Sequence, residues 1–178
     1  MKRKRNTRTL TIASLLVAIG ILIPMISPIK ILMGPASFTL ASNVATFIAM
    51  FISPFVAVTV AFGTAVGFLL GGFPIVISLR AASHLIFSYV GAKYLEKNTT
   101  LLQTKNKVWV FSLAIGILHA VCEMIVVTFF YFSGNLTAEY YDRGLLVTVM
   151  GLIGVGTLIH SMVDFWLAQM VWKALPQK

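Results

Sequence analysis

The apolar residues of this 178-residue chain fall in runs of membrane-spanning length, such as "LTIASLLVAIGILIPMI" from Leu10 to Ile26. A bilayer core of roughly 30 Å is crossed by about 20 apolar residues of helix, so repeated runs of this kind leave few folds open. Composition agrees: 58% of the residues are apolar and only 11% are charged, with a mean hydropathy of +0.93. That is too few charges to cover a soluble globule. The expected fold is an all-α integral membrane protein, a single six-helix bundle over 1–178 with no soluble domain. Cys122 is the single cysteine, cannot close an internal disulfide, and reads as a small packing residue.

The opening "MKRKRNTR" carries five cations and no acid. The run behind it ends in "PMISPIK" without a small-x-small cleavage site, so residues 1–8 read as a basic cytoplasmic arm before a retained span. Spans are expected at about 10–26, 38–52, 55–70, 74–94, 107–132 and 144–172. "SP" at Ser53 and Pro54 separates the second from the third, and Pro74 suits the first turn of the fourth, where its missing N–H has no partner to lose. Cytoplasmic loops carry the excess of Lys and Arg. With the N-terminus inside, the arm, Lys93, Lys97, Lys105, Lys107, Lys173 and Lys178 fall on the cytoplasmic side, against only Lys30 and Arg143 outside. Both termini are therefore expected in the cytoplasm. Trp109, Tyr94 and Trp172 then fall near the inner interface, and Tyr131, Tyr140 and Tyr141 near the outer one. The net charge of +9 is thus a property of loops facing a membrane and gives no reason to expect nucleic acid.

Small residues mark helix contacts. Gly63, Gly67 and Gly71 recur every fourth position in the third span and read as a close approach inside the bundle. Ser14 and Ala18 have the same spacing in the first span, and their face serves either internal packing or another protein.

Ionisable side chains inside a span cost about 2.5 to 3.5 kcal/mol on insertion scales, and so face protein or a water-filled cavity. Three i, i+4 pairs occur: Arg80 and His84, His119 and Glu123, His160 and Asp164. Each pair shares one helix face. In the second span Thr39, Ser42, Asn43 and Thr46 are spaced as a helical polar stripe. At about 1.5 Å of rise per residue, Asn43, Arg80, Glu123, His84 and His119 lie roughly 8 to 20 Å below the outer helix ends, and are expected to share one chamber open to the outside. His160 and Asp164 come out roughly 24 to 30 Å deep by the same count and read as a separate device. Arg80 then either bridges to Glu123 or, with His84, receives an anion, since a guanidinium matches a carboxylate with two parallel hydrogen bonds. Two His–carboxylate pairs at different depths do not make one zinc coordination sphere, so no metal and no other cofactor is expected. No G-x-S-x-G, H-E-x-x-H, Walker A or CxxC motif occurs, and an enzyme is not expected.

These residues carry a resemblance. A six-span chain of this size, with a basic arm, small residues on its first helix, the loop "SPIKILMGPAS" and a polar pocket in its outer half, resembles the substrate-binding S component of an energy-coupling factor (ECF) transporter. The stretches "GPASFTLASNVATFIAMFISP" and "GGFPIVISLRAASHLIF" are similar to the niacin-type branch. The resemblance implies a multi-pass protein of the bacterial plasma membrane that binds a vitamin from outside without catalysis. It further implies partnership with a transmembrane coupling subunit and two ATPases, met through an Ala-x-x-x-Ala face. Ser14 and Ala18 stand at that spacing here, with serine in place of the first alanine. Nicotinate is an anion with an aromatic ring. Arg80 with Asn43 or His84 is expected to hold its carboxylate, with Glu123 and His119 in the same chamber, Phe87 or Phe130 as a wall and Lys30 steering or closing over it. Pantothenate, also a carboxylate, and a self-contained proton-coupled carrier are the alternatives.

Overall fold

The structure, a computed structural model, describes the backbone of residues 7–33 and 36–175, and the side chains of 7–29 and 38–175. Of the basic arm only Thr7 and Arg8 are among the described residues. Lys178 and the side chain of Lys30 lie outside them.

Helix α1 spans Thr7–Ile26, α2 Val44–Ile52, α3 Pro54–Leu70, α4 Ile75–Lys97 and α5 Lys105–Phe132. A short α6, Ala138–Asp142, precedes a π-helical segment at Leu146–Val155, which runs directly into α7 at Gly156–Ala174. Four helical stretches are long and apolar enough to cross a membrane: Thr7–Ile26, Ile75–Lys97, Lys105–Phe132 and Leu146–Ala174. The protein is an all-α membrane protein. Its helices form a ring in which α1 packs on α3, α3 on α4, α4 on α5 and α5 on α7, closed by α2, which touches α7 and α1. The outer face agrees with a lipid solvent, since Val110, Ile125 and Phe129 are 65 to 71% exposed on α5 alone. Inside, Phe47, Phe87 and Phe165 are fully buried and meet at 5.3 to 5.6 Å between ring centroids, the separations that edge-to-face and tilted rings prefer.

The break at "SP" is where the spacing predicts it. Ser53 is extended, and its Oγ accepts from the Val56 N–H to cap α3, whose first residue is Pro54. Gly63 and Gly67 do accept a neighbour: a Cβ on Gly63 would meet Val17 of α1 at 2.7 Å, and one on Gly67 would collide with Ile21. Gly71 receives no other helix. Ser14 and Ala18 are exposed on the opposite side of α1, away from this contact. Cys122 is buried as a free thiol.

Two stretches depart from expectation. The second helix begins at Val44, not at residue 38, because Lys30–Met33 (β1) and Ala36–Thr39 (β2) pair as an antiparallel hairpin with Lys30 opposite Thr39. A turn at 40–43 follows, with Ala41 at φ 67°. Tyr140 is buried with Phe38, Val127 and Ile153 and does not stand in an aromatic belt.

Candidate functional site

The hairpin ends over a small chamber. Its walls come from β2 and the turn (Phe38, Thr39, Ser42, Asn43), from Thr46 of α2, and from Thr64 and Phe68 of α3. Arg80 and His84 of α4, Glu123 of α5 and His160 of α7 complete it. Its volume is about 130 Å³, below the roughly 300 to 1,000 Å³ of drug-sized sites, and suits a ligand of one ring.

The polar residues are held in a definite order. Arg80 Nη2 donates to Glu123 Oε2 at 2.7 Å, with both side chains under a tenth exposed. Thr157 Oγ1 of α7 donates to the same oxygen at 2.7 Å. The other oxygen, Oε1, faces His84 Nε2 at 3.1 Å and His119 Nε2 at 3.4 Å. His119 is fully buried beneath Phe87, 4.3 Å away and nearly parallel, and its Nδ1 lies 3.1 Å from Ser161 Oγ. An internal Arg80–Glu123 bridge therefore exists. It uses one nitrogen of the guanidinium: Arg80 Nε and, across the chamber, Thr64 Oγ1 are buried and have no hydrogen-bond partner among the described residues. Unpaired groups of this kind are costly to bury, by about 1 to 3 kcal/mol each, unless something completes them.

The expected separation of His160 and Asp164 is corrected. His160 lines the same chamber, its Nε2 3.1 Å from Ser42 Oγ and its ring 5.4 Å from Phe38. Asp164 reaches past it to accept the Ala41 and Asn43 N–H groups, each at 2.8 Å. The depth count failed because it assumed a uniform rise from a common outer level. The π-helical turns of 146–155, with i→i+5 bonding, advance less per residue, and α2 starts six residues late. The polar stripe of the second span is likewise not helical. Thr39 is in β2, Ser42 is in the turn and Asn43 is the N-cap of α2, yet these residues and Thr46 face one chamber.

The aromatic walls also differ. Phe87 lies behind His119, and Phe130 does not line the chamber; Phe38, Phe68 and Phe73 do. Phe68 and Phe73 stack at 4.6 Å. Thr64, Thr157 and Ser161 escaped sequence reasoning, although 157, 160, 161 and 164 make one polar face on an otherwise apolar helix.

No family model and no solved structure matches the chain. The niacin transporter NiaX of Lactococcus lactis subsp. cremoris (strain MG1363) matches it at 44% identity over 166 residues, which are 93% of this chain and 73% of the relative. This chain belongs to the NiaX family. The niacin-type resemblance is borne out by that identity, which runs through nearly the whole chain. The NiaX of L. lactis is a transporter by name, which accords with a chain that carries no enzyme motif.

Proposed function

We propose that this NiaX-family member is the substrate-binding component of a niacin importer, taking nicotinate into the chamber beneath the hairpin. The observation that carries this reading is the half-used guanidinium of Arg80: Nη2 is bound to Glu123 while buried Nε has no partner. A carboxylate accepting from Nε and from the second N–H of Nη2 beside it completes the fork. The pyridine ring then lies among Phe38, Phe68 and Phe73, with Asn43, His84 and Glu123 at the polar end and His119 buried behind them. Support comes from the 44% identity to a niacin transporter and from the size of the chamber.

The chain is read as one domain over 1–178 with six crossings and both termini in the cytoplasm of a bacterial plasma membrane, on the Lys and Arg distribution. In that orientation the hairpin end faces outward. On its resemblance to S components, we place it with a transmembrane coupling subunit and two ATPases of an ECF module. Exposed Ser14 and Ala18 on α1 offer the face for that subunit.

The test is equilibrium binding of radiolabelled nicotinate to the purified chain and to Arg80→Ala. Saturable binding lost in the variant supports the reading. Binding that survives the variant, or preference for pantothenate, removes it. Uptake by the chain alone in liposomes under a pH gradient would establish the proton-coupled carrier instead.

A further inference from the structure

His84 on α4 and His119 and Glu123 on α5 aim three donor atoms at one point. Nε2 of His84 and Nε2 of His119 are 3.0 Å apart, and Glu123 Oε1 lies 3.1 Å from the first and 3.4 Å from the second. A single N–H points along one edge of such a triangle, and the carboxylate oxygen offers no proton. Donors spaced in this way lie about 2 Å from a common centre, the bond length of zinc to imidazole nitrogen and carboxylate oxygen. The sequence pattern of two separate His–carboxylate pairs hid this set, because its members are drawn from both helices.

The surroundings are those of ligands held in place. Ser161 Oγ lies 3.1 Å from His119 Nδ1, the ring position whose partner orients a metal-binding histidine. Arg80 and Thr157 hold the far oxygen of Glu123 at 2.7 Å each, which turns Oε1 toward the imidazoles. His119 is fully buried, while His84 and Glu123 line the chamber, so an ion can enter from the chamber and leave its remaining coordination position facing it.

Charge supplies a second reason. With neutral imidazoles, the form that binds metals, Glu123 cancels Arg80, and Asp164 leaves the described residues around the chamber with one negative charge. The unpaired Nε of Arg80 then draws a carboxylate in against that net charge. A divalent cation reverses the sign, and one carboxylate then neutralises the whole.

We propose that His84, His119 and Glu123 bind one divalent transition-metal ion of the zinc class, whose open position meets the carboxylate of the ligand in the chamber. The metal site stands on its own geometry; its contact with the vitamin rests on the receptor reading above.

The test uses the full chain without a polyhistidine tag, purified in detergent, stripped with a chelator and titrated with Co²⁺. The expected result is one equivalent of Co²⁺ with visible ligand-field absorption, displaced by Zn²⁺ and lost in both His84→Ala and His119→Ala. Wild-type protein that takes up no Co²⁺, or folded variants that retain the full signal, overturns the proposal; if the variants do not fold, the wild-type titration decides. Nicotinate binding is measured in parallel on stripped and Zn²⁺-replete protein, with affinity expected at least about tenfold weaker after stripping, the factor that about 1.4 kcal/mol represents. Equal affinity overturns the contact between ion and vitamin. Full Co²⁺ binding with no nicotinate binding in either form leaves the metal site standing and removes the receptor reading.

Discussion

Asp164 on α7 accepts the backbone N–H of Asn43 at 2.8 Å, and with its other oxygen accepts that of Ala41, also at 2.8 Å. A carboxylate at the far end of the chain thus holds the turn between the hairpin and α2, and with it one rim of the chamber. Hydrogen bonds to a charged acceptor are worth about 1.5 to 3 kcal/mol each. Asp164→Asn puts an amide where one of two acceptors stood. The expected result is a fall in thermal stability of about 2 kcal/mol in detergent, read as a lower Tm. An unchanged Tm would show that the turn holds without this contact.

The same turn contains Ala41 at φ 67°, a left-handed conformation that costs an L-residue about 1 to 2 kcal/mol. Ala41→Gly is expected to keep or raise the Tm, and Ala41→Val to lower it. The pair of melting curves checks the strain directly, since both substitutions leave the Asp164 bonds available.

Arg80 and Glu123 test whether the ion pair is structural, functional or both. Removing one partner of a buried pair leaves a charge uncompensated and costs about 3 to 5 kcal/mol. Arg80→Ala is expected to lose that much stability and to lose nicotinate binding. In Arg80→Leu/Glu123→Leu most of the stability should return, because an apolar pair of similar volume is often neutral, while binding should not. A double variant that binds nicotinate would show that the pair only braces α4 against α5.

Much of this organisation was legible in the sequence, and the reasons differ from residue to residue. The i, i+4 pairs stood out because a bilayer tolerates few ionisable groups, so their presence alone located the polar faces of α4, α5 and α7. The spacing of Gly63 and Gly67 named the α1 contact, since a missing side chain is a geometric statement. The join between chamber and His160 was not legible, because depth was counted along ideal helices and neither the hairpin nor the π-helical turn has a strong local signal in apolar sequence. The aromatic walls were missed for a related reason. Phe38 enters from a strand, Phe68 from the last turn of α3 and Phe73 from the loop between α3 and α4, so no helical period connects them.

The α1–α3 contact should be intolerant of volume. An added Cβ at Gly67 collides with Ile21, and one at Gly63 meets Val17 at 2.7 Å. Gly67→Leu is expected to destabilise the bundle by about 1 to 3 kcal/mol, measured by thermal unfolding, whereas Gly72→Leu gives a smaller loss. At Gly72 the space is open and only the positive φ of 77° is strained. Equal losses at the two positions would contradict the packing of α1 in the groove.

Phe38 closes the chamber from the hairpin side, and a Cβ on Gly156 would come within 2.7 Å of its ring. Truncating a buried phenylalanine costs about 3 to 5 kcal/mol when the cavity cannot collapse. Phe38→Ala is expected to loosen the hairpin over α7 and to raise the dissociation rate of nicotinate by at least about tenfold, with a smaller effect on association, as is common for changes within one interface. Stopped-flow fluorescence or radioligand release reads the two rates. A slower release would show that the ring obstructs exit and does not seal the ligand in.

The central claim is that this chamber selects an anionic ring through the unpaired Nε of Arg80. Calorimetric titration of the purified chain with nicotinate and with nicotinamide tests it most directly, because the two differ in charge and hardly in shape. One nicotinate per chain is predicted, with nicotinamide weaker by about tenfold or more, as loss of a charge-assisted hydrogen bond of at least about 1.5 kcal/mol requires. Equal affinity for the amide, or no heat with nicotinate, would contradict the account.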